Sequence, residues 1–417
     1  MMDCMENVLA AERAVLPQFH KIDAIALHGS RRVLTAFQDN GVSARHFNPT
    51  EGYGYDDIGR DTLDRVFAQA LQAEDALVRP QIANGTHAIF LALSGVLEPG
   101  DTILSVTGMP YDTLQTAIGC NGAIPNSLRR MGVSLRCVPL RDGKIDCDAM
   151  LCALRKDSSI RMVYFQRSRG YEWRSAITIA ELRDCFAAVR SVKQNAILFV
   201  DNCYGEFVEA DEPTAVGADL MAGSLIKNCG GGIAPTGGYI AGKKDLIEQV
   251  SYRLTTPGSG REVGSYAASY RPFYQGLFLA PHTVAQCMKS AVLFAALFEQ
   301  LGYRSMPLPD AKRSDIIQSV QFPTKEELIA FCQAVQSAAP IDSYVVPEPW
   351  EMPGYADPVI MAAGTFVQGA TTELSADAPI REPYIAYMQG ALTYEHAKLA
   401  AETIARALIK SKGEGNR

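Results

Sequence analysis

At 417 residues, with 47% hydrophobic and 20% charged side chains, the chain has room for two or three domains and an ordinary globular composition, which excludes disordered and fibrous classes. A formal charge of −7, from 46 acidic and 39 basic residues with no Lys/Arg cluster, argues against a nucleic-acid surface. No run approaches the ~18 apolar residues of a membrane span, and ten scattered cysteines without C-x-x-C or Cys/His metal spacing predict reduced thiols, no metal site and a cytoplasmic setting.

The opening "MMDCMENVLAAERAVLPQF" lacks the basic and apolar regions of a signal peptide. Its spacing is helical, so residues 1–50 are expected to form a mainly helical arm that lies on another part of the protein or on a second subunit. Asn84, Gly85 and Thr86 then open the helical pattern "THAIFLALSGVL". "DTILSV" (101–106), "MVYFQ" (162–166), "AILFVDN" (196–202) and "GGYIAG" (237–242) are short apolar runs of the buried-strand type. Thr178 and Glu181 form a capping box ahead of "LRDCFAAVRSV". Strands without in/out alternation, separated by helices, predict an α/β fold whose mostly parallel sheet is covered on both faces, in a large domain over 51–280. "GGYIAGKK" comes close to the phosphate loop G-x-x-x-x-G-K-[ST]. It has Lys244 where that loop needs a hydroxyl, and its strand-like "YIA" predicts a strand and its turn. The long helical pattern "VAQCMKSAVLFAALFEQLG", then "IIQSVQFP", a helix capped at "TKEE" and the terminal helix "YEHAKLAAETIARALIK" predict a smaller C-terminal α/β domain over 281–417.

In an open α/β sheet, ligands bind outside the carboxyl ends of the strands. Asp201 ends "AILFV", segment 166–169 ends "MVYF", and Lys227 ends "GSLI" in the stretch "SLIKNCGGGIAPTGGYIAG". The helix opened by Asn84, Gly85 and Thr86 offers free N–H groups and a positive dipole end to a phosphate. A lysine, an acid one strand away and a glycine at a helix start are the groups that pyridoxal 5'-phosphate requires: an amine for its aldehyde, a carboxylate for its ring nitrogen, an N-terminus for its phosphate. The glycines after Lys227 would leave room for a ring close to backbone.

These residues sit in stretches that resemble fold type I pyridoxal-phosphate enzymes of cysteine and methionine metabolism. More closely, the chain resembles the methionine gamma-lyase-like or aluminium-resistance family, related to cystathionine beta-lyases. The matching stretches include "HFNPTEGYGYDDIGRDTLDRVFA", "ANGTHAIFLAL", "YFQRSRGYEWRSAITI", "VDNCYGEF" and "SADAPIREPYIAYMQGALTYEH". The resemblance implies that Lys227 holds the cofactor and shuttles protons, that Asp201 pairs with the ring nitrogen, and that Tyr204 lines the same strand end. It implies phosphate contacts from Gly85, Thr86 and Ser224, and a role for Tyr111 in stacking on the ring and protonating the leaving group. Tyr53, Tyr55 and Arg60 would reach a neighbouring subunit's site, which implies a homodimer or homotetramer with shared active sites; which tyrosine serves is left open. For the substrate carboxylate, Arg381 is the first choice on the strength of its planar fork. Arg167, Arg169 and Arg174 are rivals, each with a salt-bridged loop as its plain reading. His87, Cys203 and Cys229 receive no catalytic role. The implied activity is carbon–sulfur bond cleavage by β- or γ-elimination of methionine, cystathionine or cysteine, giving thiol, ammonia and a 2-oxo acid. An aminotransferase and a non-catalytic protein linked to metal tolerance are the alternatives.

Overall fold

The computed structural model describes residues 4–122, 124–352 and 357–414. A 36-residue helix α1 (Cys4–Asp39) is followed by α2 (Ile58–Ala70), β1 (Asp75–Arg79), α3 (Gly85–Val96), β2 (Thr102–Ser105), α4 (Asp112–Ile118) and β3 (Ser134–Cys137). The alternation continues through α5 (Cys147–Lys156), β4 (Ile160–Gln166), α6 (Ile179–Val192), β5 (Ile197–Asp201), β6 (Leu220–Ser224), β7 (Gly238–Gly242) and α7 (Lys244–Leu254) to the 30-residue α8 (Arg271–Gln300). The remainder comprises β8 (Arg304–Met306), β9 (Gln318–Phe322), α9 (Lys325–Ser337), β10 (Val359–Ala362), β11 (Ser375–Pro379), β12 (Tyr384–Gln389) and α10 (Tyr394–Glu414).

Two sheets organise these elements. The larger has the order β1-β7-β6-β5-β4-β2-β3, parallel from β6 to β3, with β7 antiparallel to both of its neighbours. This is the α/β fold with a mostly parallel sheet that the apolar runs predict. Every residue of β5, Ile197 to Asp201, is buried, as a strand covered on both faces requires. Helices α3 and α7 bury Ile89, Leu93, Leu246 and Val250 on one face, while α5, α6 and α8 cover the other. The segment "GGYIAGKK" supplies β7, a central strand and not a phosphate loop. The second sheet is fully antiparallel, in the order β10-β11-β12-β9-β8.

Local capping follows the sequence. The Thr178 hydroxyl accepts from the Glu181 N–H at 3.1 Å and the Glu181 carboxylate accepts from the Thr178 N–H at 2.8 Å, closing the box that starts α6. Thr324 caps α9 in the same way through the Glu327 N–H. Helix α1 runs along α8 of its own chain and touches α2 and α10, burying Val15, Phe19, Ile22 and Val33. Each of these contributes about 1.5–3 kcal/mol of apolar burial, which a lone amphipathic helix would lack. Among the described residues no helix is long and apolar enough to cross a membrane, and no cluster of three metal-ligating side chains occurs.

The turn after Lys227 packs on α8 backbone to backbone. A Cβ at Gly276 of α8 would overlap the Gly230 carbonyl, and one at Gly231, where φ is +56°, would overlap the Gly276 carbonyl. Gly276→Ala is therefore expected to cost roughly 2–4 kcal/mol by overpacking. Urea unfolding midpoints of the two proteins measure it.

Candidate active site

Because β4, β5 and β6 run in one direction, their carboxyl ends open on the same edge of the sheet. There a cavity of about 460 Å³ lies between the two sheets. Asp201 is the last residue of β5. Its Oδ1 accepts from the Cys203 N–H at 3.1 Å and its Oδ2 from the Tyr164 hydroxyl at 3.4 Å. Burial raises its pKa, against the opposing pull of Lys227 and of these hydrogen bonds. Lys227 does not end a strand: β6 stops at Ser224, and the lysine stands three residues beyond, on the turn that enters a short 3-10 segment, Asn228–Gly230. Its Nζ lies 4.0 Å from the centre of the Tyr204 ring. Burial opposes its charge, but Cys203, Tyr204, Asp201 and Tyr111 more than offset this and hold the amine above its ordinary pKa.

Tyr204 adopts φ +71°, a left-handed conformation that costs a side-chain-bearing residue about 1 kcal/mol, and this conformation presents its ring to the amine. On the opposite wall, Asn84 caps α3 by accepting from the His87 N–H at 2.8 Å. Gly85 and Thr86, whose N–H groups have no intrahelical acceptor, line the cavity. A Cβ on Gly85 would meet the Cys203 sulfur at 3.2 Å and the Ser224 Cβ at 3.3 Å, so the bare residue lets the helix start approach Ser224 without crowding. The Thr86 hydroxyl lies 2.9 Å from that of Tyr111, whose N–H donates to Gln166 at 3.1 Å. Burial and the Asp201 charge push the Tyr111 phenol up, so it keeps its proton.

The sequence-predicted residues divide into three groups. Lys227, Asp201, Tyr111, Tyr204, Gly85, Thr86, Ser224, Arg169 and Arg381 line this one cavity. Tyr53 and Tyr55 do not; their rings stack at 5.4 Å, 73% and 63% exposed, on the loop before α2. Arg60 is buried beneath that loop, donating to the Gly54 carbonyl at 2.8 Å and to Asp61. Among the arginines, Arg169 makes a two-point contact with buried Asp315 at 2.9 and 3.1 Å and also donates to the Met306 carbonyl. Arg167 is held by Glu209 and Asn202, and Arg174 by Glu172 and the Ser168 carbonyl. Arg381 is half exposed, with Asp357 at 2.9 Å. The glycines after Lys227 meet α8 and Leu392 and are absent from the cavity wall; they serve close packing of the lysine turn and not clearance for a ring.

Sequence reasoning missed two carboxyl groups. Asp377 on β11 lines the cavity, and burial raises it to about 6. Its only sequence signal is a charge in the middle of the small-residue run "SADAP". Glu206 lies behind Lys227, accepting from the Tyr239 hydroxyl at 2.7 Å, while its other oxygen has no partner. The thiols of Cys203 and Cys229 are pushed well up by burial and are not nucleophiles.

The family model for methionine gamma-lyase matches residues 4–409. The chain belongs to the methionine gamma-lyase family. A Bacillus subtilis relative, YnbB, described as an uncharacterized protein, is 52% identical over 94% of each chain. The crystal structure of a carbon–sulfur lyase involved in aluminium resistance from Clostridium novyi is 50% identical, with a TM-score of 0.93 over 97% of this chain and 96% of that one. A methionine gamma lyase from Micromonospora echinospora, CalE6, shares the fold at 18% identity, with a TM-score of 0.57 over 88% of this chain and 93% of that one.

Glu206 makes a titration prediction for this member of the family. Burial raises it from 4.5 to about 8. A carboxyl that is harder to ionise in the folded state stabilises that state fully below its unfolded pKa, and this contribution is lost as pH rises through the folded value. The wild type is expected to lose stability between about pH 5 and 8, by a few kcal/mol, and Glu206→Gln to flatten that decline. Urea midpoints across this range decide it.

Proposed function

We propose that the protein is a pyridoxal 5'-phosphate-dependent carbon–sulfur lyase that cleaves a sulfur amino acid to a thiol, ammonia and a 2-oxo acid. The observation that carries this reading is the convergence of Lys227, Asp201 and the Gly85–Thr86 helix start on one cavity. The cradle fits the cofactor. Amide N–H groups and the Ser224 hydroxyl, drawn together at a glycine where a Cβ would fit only tightly, suit a phosphate; a buried carboxylate beyond them suits a pyridine nitrogen.

When bound, pyridoxal phosphate supplies an aldehyde for amines and a ring that accepts electrons from the adjoining carbon. Asp201 holds a proton at the ring nitrogen, helped by the Cys203 N–H and the Tyr164 hydroxyl that fix its two oxygens. Lys227, carried on a turn packed against α8, takes a proton from the substrate α-carbon and returns it later. The Tyr111 phenol, which stays protonated, gives its proton to the departing sulfur and is aimed by Thr86 and Gln166. Arg381 exchanges Asp357 for the substrate carboxylate, since Arg167, Arg169 and Arg174 are committed to acids of the chain. Support for the lyase reading comes from the family and from the description of the Clostridium novyi protein.

Borohydride reduction of the yellow holoprotein is expected to fix the cofactor on Lys227, found by mass spectrometry. Lys227→Ala is expected to lose at least ~10³-fold in thiol release from a panel of sulfur amino acids. An unmodified Lys227 sinks the reading.

The exposed Tyr53–Tyr55 pair with Arg60 is proposed to complete a neighbouring subunit's site in a homodimer or homotetramer. Lys227→Ala and Arg60→Ala chains, each inactive, are then expected to regain about a quarter of wild-type activity when co-assembled at equal amounts, because half of random dimers carry one intact site of two. No recovery from well-folded mixed oligomers means that each pocket is made by one chain.

A further inference from the structure

The carboxyl group of Asp377 has no part in the chemistry above, yet it stands inside the cavity. Its position follows from register. Strand β11 pairs with β10 and β12 so that Met361, Asp377 and Tyr387 are directly opposed across three strands. Directly opposed residues point to the same face of a sheet, and all three line the cavity. This wall therefore carries a thioether, a carboxyl and a phenol ring side by side. Tyr171, from the segment after β4, brings its ring to 5.2 Å from that of Tyr387. Tyr204 stands close enough for the Asp377 charge to raise its phenol.

The charges of the cavity leave this carboxyl without a cation of its own. Arg169 is bound to Asp315 and Arg381 to Asp357. The neutral Gln389 side chain hydrogen-bonds Asp377 and, with Lys227 at a distance, favours its ionised form, but no ion pair joins it to Lys227, whose amine is needed for proton transfer. Burial raises Asp377 to about 6, while Gln389 and Lys227 act in the opposite sense and favour its charge. An apolar side chain such as that of methionine would desolvate this carboxylate and give nothing in return. An ammonium group would be met by the carboxylate and by the faces of the neighbouring rings, the combination that binds cations.

We propose that Asp377, directly opposed by Tyr387 on a wall that Tyr171 also lines, is a specificity site for a second ammonium group, so that the preferred substrate is a thioether or disulfide amino acid carrying two amino groups. This inference rests on the carbon–sulfur lyase reading for its substrate class. The residue acts on selection of the substrate and not on the bond broken.

The test compares L,L-cystathionine with S-(3-carboxypropyl)-L-cysteine, which lacks only the distal amino group, in pyruvate release by the holoenzyme, because pyruvate reports cleavage at the cysteine half that both compounds share. The wild type is expected to favour the diamino compound in kcat/KM by at least about ten-fold, the scale of one charge-assisted contact. Asp377→Asn is expected to lose that preference while its rate on the deamino compound changes by less than about three-fold. The wild-type comparison needs no variant, so poor folding of Asp377→Asn cannot obscure it. Equal kcat/KM values in the wild type overturn the proposal and leave the lyase reading standing. If neither compound is cleaved, the lyase reading fails for this class. Calorimetric binding of the uncleavable 2,7-diaminooctanedioate and 2-aminooctanedioate then decides the ammonium site alone. Tighter binding of the diamine, lost in Asp377→Asn, supports it; equal binding overturns it.

Discussion

The site depends on an amine and a carboxylate that feel one another across a cavity without forming an ion pair. Direct contact between Lys227 and Asp201 would satisfy both charges and close the space a ligand needs. The fold prevents it by fixing the two groups separately. Asp201 is held at its strand end by a backbone N–H and a phenol. Lys227 is carried past the end of β6 on a turn whose glycines lie against the backbone of α8. Tyr204, in its left-handed conformation, places a ring 4.0 Å from the amine.

Around this pair, buried ion pairs set position more than they add stability. Glu209 accepts from Arg167, the Ile179 N–H and the Ser314 hydroxyl, all at 2.9 Å, and binds Lys312. Asp315 grips Arg169. Together they fasten the segment before β9 to the loop after β4, and so fasten the small sheet to the edge of the large one. Buried pairs of this kind roughly break even against apolar packing, but removing one partner strands the other. Their effect is to fix the distance between the two walls of the cavity.

Much of this arrangement was legible in the sequence because it is local. The runs of β2, β4, β5 and β7, the caps at Thr178 and Thr324, and the helix start at Asn84 are each specified by a few neighbouring residues. What was not legible depends on partners far along the chain. Strand β1, "DALVR", has charged ends and becomes a strand only by pairing with β7, more than 150 residues later. Arg167 and Arg169 read equally well as ligand groups or as structural ones until Glu209 and Asp315 were placed beside them. The glycines after Lys227 suggested clearance for a ligand, because nothing nearby announces Gly276. Asp377 gave only a charge in a strand of small residues; its neighbours on the cavity wall come from β10 and β12, a relation that exists only once the register is formed.

The two walls also differ in how each can change. The parallel strand ends carry groups whose geometry is bound to the core: moving Asp201 or the Lys227 turn disturbs β5, β6 and α8 together. The antiparallel sheet presents its residues by alternation, so a side chain at Met361, Asp377 or Tyr387 can be exchanged without altering the ladder that holds it, provided the register is kept. Lys227 and Asp201 sit on the rigid wall, while Met361, Asp377 and Tyr387 sit on the exchangeable one. In the proposed reading, the charge at position 377 selects what enters, on a strand whose ladder does not depend on that side chain.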